Sequence, residues 1–230
     1  MNRSISALRP VEDRTLRAQV AQQILDLVTG GHLQPGQKLT EQGLAVQLRV
    51  SRAPLREALR ELIDRGILIA QPYKGIQVRN VGRRDLEELY SMRTALEKFA
   101  FSIAWGRRTP EAFVDLEERY RALLGAHQLG NRSRSIECEI HFHSWVYDVS
   151  GHDLLNSYWR RLSPIVQIYL SLHNGIFGAR GYFQDVTTEY FELAQGDNLD
   201  AMMHHVEEHM RKGLEHVLSV LSPAYIQAAQ

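Results

Sequence analysis

Residues Val50–Leu62 read VSRAPLREALREL, and this stretch decides the fold. Ser51 is a natural helix N-cap, and Pro54 falls inside the first turn, where a missing backbone N–H costs nothing. Leu55, Ala58, Leu59 and Leu62 then recur at helical spacing as one apolar stripe, and Gly66 ends the helix after about Arg65. Arg52 and Arg56, at i and i+4, sit beside that stripe near the N-terminal end. A helix entering a DNA major groove N-terminus first turns backbone N–H groups and a positive dipole end toward phosphates. Its arginines then reach guanine edges or phosphate oxygens. The bland alternative is a solvated face on which Arg52, Arg56 and Arg60 pair with Glu57, Glu61 and Asp64.

The flanking elements favour the first reading. Upstream, Leu16, Val20, Ile24, Leu27 and Val28 give a helix over Thr15–Thr29 that Gly30-Gly31 stops. Pro35-Gly36 makes a tight turn, and the Thr40 hydroxyl caps a short second helix, Glu41 to Leu48. Downstream, ILIAQ and GIQVR alternate around Pro72-Tyr73-Lys74-Gly75, which reads as a β-hairpin with a basic tip. Three helices and a hairpin in this order make a winged helix-turn-helix over residues 1–79. Ser51, Arg52 and Arg56 are its candidate DNA contacts, with Thr40 and the tip residues Lys74 and Gly75 beside them.

Residues 80–84 carry no apolar periodicity and serve as a linker. Residues 85–225 read as an all-helical bundle of six segments, roughly 83–105, 110–129, 133–150, 153–172, 183–195 and 199–221. Pro164 is expected to kink or interrupt the fourth. The fold class is thus mainly α. Charge divides along the same boundary: residues 1–80 hold 12 Lys and Arg against 7 Asp and Glu, and residues 81–230 hold 15 against 20. That split suits a basic nucleic-acid module joined to an acidic one. No apolar run is long enough to span a bilayer, and MNRSISALRPVEDR lacks a secretion signal, so a soluble cytoplasmic protein is expected. The single cysteine, Cys138, excludes an intrachain disulfide and a thiolate zinc finger.

In the bundle, Glu139 and His143 are spaced i, i+4, as are His205 and His209. Two facing helices so equipped offer a carboxylate and up to three imidazoles to one cation, among which nitrogen and oxygen ligands suit zinc, nickel, iron or manganese. Histidines on helices are more often surface or hydrogen-bonded core residues. No G-x-S-x-G elbow, P-loop or H-E-x-x-H pattern is present, which leaves a helical metal-dependent hydrolase as the one enzymatic alternative.

Pro35-Gly36, Leu39-Thr40-Glu41, Leu44-Ala45, Val50-Ser51-Arg52, Pro54 to Leu59, Leu62, Gly66 and Lys74-Gly75 together resemble the DNA-binding module of the GntR family of bacterial transcription regulators. The resemblance implies operator contacts from Ser51, Arg52 and Arg56. Gln42 stands where some relatives have a further DNA-contacting arginine. ECEIHFHSWVYDVSGHDLL resembles the signature of the FCD domain, the effector-binding bundle of FadR-like members. Glu139 falls on an aspartate, His143 on a histidine and Ser150-Gly151-His152 on SGN, while Arg93 and Glu97 match an R-x-x-LE pattern. In many such domains the acid, that histidine and two later ones bind a divalent metal that helps hold a small carboxylate. The resemblance assigns the last histidine to His209, with His205 as runner-up, and leaves Val186 or Thr187 where the third is usual. It implies Arg93, Glu139 and His143 as effector contacts.

A ligand-responsive repressor is the resulting expectation: a homodimer on a palindromic double-stranded operator, its affinity altered by a small-molecule effector, with no membrane partner. The alternative is a constitutive DNA-binding regulator with a degenerate effector site.

Overall fold

The computed structural model describes residues 15–71, 75–80, 82–174 and 182–220. Helix α1 (Leu16–Thr29) starts where the Thr15 hydroxyl accepts the Ala18 N–H. In α2 (Glu41–Leu48) the Thr40 hydroxyl accepts the Gly43 N–H at 3.2 Å. It ends at Arg49, whose φ of 53° is the left-handed conformation that usually selects glycine. Helix α3 (Arg52–Asp64) buries Leu55, Ala58, Leu59 and Leu62 against α1 and the sheet, as its stripe requires. Gly66, at φ +72°, then turns the chain into the hairpin.

The hairpin strands β2 (Leu68–Gln71) and β3 (Gly75–Val78) pair antiparallel with Ile69 opposite Gln77. A third strand, β1 (Lys38–Leu39), pairs with the other edge of β3, placing Leu39 opposite Ile76, so the sheet order is β1-β3-β2. Two residues are too few to show alternation, so this strand is not legible in the sequence between Pro35-Gly36 and Thr40. The hairpin tip, including Lys74, lies outside the described residues.

The bundle comprises α4 (Arg83–Ala104), a single 3₁₀ turn (Trp105–Arg107), α5 (Pro110–Gln128), α6 (Arg132–Ser150), α7 (Asp153–Asn174), α8 (Tyr182–Gln195) and α9 (Leu199–Val220). Helix α4 takes up Arg83 and Arg84, and the Asp85 carboxylate accepts the Gly82 N–H at 3.0 Å. Helix α7 continues through Pro164, so the expected interruption is absent. Buried Trp159, Val166, Ile168 and Tyr169 on both sides of the proline hold its two halves in one core, which outweighs a single lost hydrogen bond. Phe101 and Phe142 both meet Tyr190 at the bundle centre, Trp145 packs against Phe101, and Tyr147 stacks on Trp159 with ring centroids 4.6 Å apart.

The two units touch. Helix α1 lies against α6 and α7. The Thr29 and Ser133 hydroxyls are 3.1 Å apart, and the Arg132 guanidinium donates to the Gly30 carbonyl at 3.1 Å. A cleft of about 420 Å³ opens between Gln22, Asp26 and Arg65 on one side and Ser133, Glu137 and Gln167 on the other.

Candidate functional site

On α3 and at its N-cap, Ser51, Arg52, Arg56 and Arg60 are all exposed, off the buried stripe of Leu55, Ala58, Leu59 and Leu62. Ser51 occupies the N-cap position with extended backbone but makes no capping hydrogen bond, unlike Thr15 and Thr40. Arg56 Nε donates to Glu41 Oε2 at 2.8 Å, tying the start of α2 to α3. Sequence spacing had offered acids of α3 itself as its partners. The structure places the acid on the neighbouring helix, which no periodicity within α3 could reveal. Gly75 opens β3 exposed, at φ +89°.

Inside the bundle four helices converge on one buried polar cluster. Helix α4 supplies Arg93 and Glu97, α6 supplies Glu139, His143 and Tyr147, α8 supplies Tyr190, and α9 supplies His205 and His209. His143 bridges two carboxylates: Nδ1 lies 2.8 Å from Glu97 Oε1 and Nε2 lies 3.2 Å from Glu139 Oε1. The Tyr190 hydroxyl donates to the same Glu97 oxygen at 2.8 Å. Arg93 Nε stands 3.9 Å from Glu97 Oε2. Ligand atoms of Glu139, His143 and His209 all lie within 4.8 Å of one another. His205 is outside that trio, stacked on His209 at 5.9 Å with its Nδ1 3.4 Å from Glu189.

Charge is arranged around His143. Burial alone would raise the Glu97 and Glu139 carboxyls, but His143 and Arg93 hold each at about 2. Burial would lower His143, yet Glu97 and Glu139 overcome it and the imidazole pKa is raised. His209 is pushed down to about 3 by burial and by the positive His143 and Arg93, which leaves it neutral with lone pairs available. Several buried polar atoms have no hydrogen-bond partner among the described residues: Arg93 Nε and Nη2, Tyr147 Oη, His205 Nε2 and His209 Nδ1. Such atoms are costly to bury unless something answers them.

Comparison with known proteins now bears on both sites. The bacterial regulatory proteins of the gntR family match residues 16–78, and the FCD domain matches residues 88–212. The chain belongs to the GntR family, with an FCD domain. This GntR chain is 30% identical over 154 residues to the HTH-type transcriptional regulator McbR of Escherichia coli (strain K12), covering 65% of this chain and 70% of McbR. It is 26% identical over 205 residues to the HTH-type transcriptional regulator YdhC of Bacillus subtilis (strain 168), covering 88% and 91%. The gluconate operon transcriptional repressor of Bacillus licheniformis is 23% identical over 154 residues, covering 67% and 63%. The solved structure of E. coli McbR/YncC superposes with a TM-score of 0.73 at 25% identity, covering 90% of this chain and 99% of that one. The GntR chain is thus a transcription regulator with a winged helix-turn-helix and a helical FCD domain. The hydrolase alternative for Glu139 and His143 falls with that assignment. No helix among the described residues is long and apolar enough to cross a membrane.

Of the residues singled out in this GntR sequence, Arg93, Glu139, His143 and His209 come together, and His205 stands one turn before His209. Thr187, at the position the family resemblance gives to a third histidine, is buried on α8. Tyr147 and Tyr190 escaped the sequence reading. Tyr147 extends the Glu139–His143 stripe by another i+4 step, a signal that was present. Tyr190 reaches the cluster from a separate helix, where nothing in its own neighbourhood distinguishes it from a core aromatic.

Proposed function

We propose that this GntR regulator is a repressor that binds a two-fold operator as a homodimer and responds to a small carboxylate-bearing metabolite held in the FCD cluster. The observation that carries the reading is Arg93: a guanidinium 3% exposed, whose Nε and Nη2 make no hydrogen bond, beside Glu97 and the Glu139–His143–His209 trio. A buried cation with spare donors suits an anion, and a bidentate carboxylate is the natural match. The relatives named as repressors of catabolic operons support the direction of control. On the DNA side, exposed Ser51 and Arg52 open α3 for base and phosphate contacts, with Arg56, Thr40, Gly75 and Lys74 around them.

The residues also fit a divalent cation. Glu139, His143 and His209 supply one oxygen and two nitrogens, the partnerless His209 Nδ1 is a donor atom without a task, and Glu97 would orient His143 through Nδ1. Such an ion would supply a Lewis-acid anchor for the effector carboxylate. His143 would give up its Nε2 proton to take part, while Arg93 would bind the far oxygen and Tyr147 a hydroxyl.

Elemental analysis of the purified protein, with His143→Ala as control, tests the metal, and a thermal-shift screen of small carboxylates tests the pocket. A near-stoichiometric ion lost in the variant, and carboxylates that raise Tm in wild type but not in Arg93→Met, are expected. Absence of the ion ends the metal reading; carboxylates that act equally on both proteins end the Arg93 reading. Buried Thr187 favours a second version, a metal-free polar pocket that binds the same anion.

A further inference from the structure

The cleft where the two units meet lies apart from the buried cluster, and none of Arg93, Glu139, His143 and His209 lines it. One wall is α1 together with Arg65 at the end of α3, and the other is the first two turns of α6 together with Gln167 of α7. Its volume of about 420 Å³ is within the roughly 300–1,000 Å³ usual for small-molecule sites. The walls are already held near one another where the Thr29 and Ser133 hydroxyls meet, so an occupant need not bring them together.

Charge in the cleft is balanced and already engaged. Asp26 and Glu137 are matched in number by Arg65 and Arg134. Arg134 pairs with Glu137 on α6, Arg65 stands 3.8 Å from Glu61 on α3, and Gln22 donates to Asp26 at 2.9 Å on α1. An ion of either sign would meet like and opposite charges in equal number, so its net attraction is small. A wholly apolar occupant would strip water from Asn131, Ser133 and Gln167 without replacing the hydrogen bonds that water makes.

What the lining offers instead is a set of neutral donors and acceptors, the carboxamides of Asn131 and Gln167 and the Ser133 hydroxyl, beside buried Leu25 and Ile136. Gln167 Oε1 is buried with no hydrogen-bond partner among the described residues, and a half-turn of the amide presents that oxygen to a donor in the cleft. We propose that this cleft binds a neutral polyhydroxylated molecule of monosaccharide size. Hydroxyl groups donate and accept at once, as the two carboxamides and the serine require, while the C–H face of such a molecule packs on Leu25 and Ile136.

The placement gives such a ligand a hold on the DNA-reading unit. Helix α1 packs on α3 as well as on α6 and α7, so an occupant spanning the cleft holds the winged domain at its present tilt. It acts on the junction itself and is independent of the carboxylate reading, which works through Arg93 on α4.

Isothermal titration calorimetry of the full chain with D-glucose, D-mannitol and myo-inositol tests this, with circular dichroism to confirm folding. At least one of the three is expected to bind saturably, one molecule per chain, with a Kd on the order of 1 mM. Gln167→Leu is expected to weaken that binding about 10-fold. Gln22→Trp, a change at an exposed position that fills the cleft without threatening the core, is expected to abolish it. Arg93→Met is expected to leave it unchanged, and D-glucuronate and D-glucosamine, hexoses that carry a charge, to bind no tighter than D-glucose. No saturable binding by any of the three, binding that survives Gln22→Trp, or tighter binding of either charged sugar would overturn the proposal. Loss of binding in Arg93→Met would overturn it too, by placing the sugar in the buried cluster.

Discussion

Glu97→Gln isolates the electrostatic centre of the bundle. In the folded chain Glu97 has no solvent exposure, accepts hydrogen bonds from His143 and Tyr190 at 2.8 Å each, and faces Arg93 at 3.9 Å. Its carboxyl, which burial alone would raise, is held by His143 and Arg93 at about 2, against an ordinary value of 4.5. Glutamine keeps the shape and an acceptor but answers neither positive charge. The gap between the two values, at about 1.4 kcal/mol per pKa unit, puts the loss on the order of 3 kcal/mol at neutral pH. Because the folded pKa is depressed, the contribution is present above 4.5 and drains away as the pH falls toward 2, with about half remaining near pH 3. His143 holds the other side of the same interaction: its pKa is raised, so its share is complete below 6.5 and fades as pH climbs through the folded value. Urea unfolding followed by circular dichroism should therefore show the widest gap between wild type and variant from about pH 5 to 6.5, narrowing at pH 3. A gap below about 1 kcal/mol at pH 6, or one equally wide at pH 3, would refute the reasoning.

Three further outcomes are expected. Leu59→Ala, at a site 2% exposed in the winged domain core, should cost about 2–5 kcal/mol, read as a lower urea midpoint with an unchanged slope. Glu41→Gln releases Arg56 from its 2.8 Å ion pair, so operator binding should tighten and its logarithmic salt slope steepen by about one; an unchanged slope would leave Arg56 out of phosphate contact. Arg132→Ala removes the donor to the Gly30 carbonyl, and amide hydrogen exchange at the end of α1 should accelerate while the α6 interior stays protected.

What the sequence disclosed follows from how local each signal is. Capped helices with one apolar stripe announce themselves, so α1 to α3 and the six bundle helices could be bounded to within a few residues from spacing and breakers alone. Strand β1 could not, because two residues have no period and Lys38-Leu39 become a strand only when β3 arrives beside them. Pro164 shows the converse: proline's local penalty is visible in the sequence, while the packing of Trp159 and Tyr169 that keeps the helix continuous is not. At the candidate site the i, i+4 spacing placed Glu139 and His143 on one face, but Glu97, Tyr190 and the Arg56–Glu41 pair depend on how separate helices meet.

Helix α4 supplies the physical link between the two ends of the molecule. Its first turn is pinned by Asp85, which caps Gly82 and lies 3.9 Å from Arg79, the residue that follows β3; Arg79 also hydrogen-bonds Tyr169 on α7. Two turns further along the same helix stands Arg93, and three turns along stands Glu97. A ligand that draws on Arg93 therefore pulls on a helix whose other end is fastened to the wing. Several of the direct contacts between the two units are polar, among them Thr29 to Ser133 and Arg132 to Gly30, each contributing about 1 kcal/mol, and a cleft opens beside them. Typical coupling free energies of about 1–3 kcal/mol are commensurate with such a junction. An apolar interface of domain-core quality would not yield to them, whereas a junction held in part by such polar contacts would let the proposed effector change the angle at which α3 meets DNA.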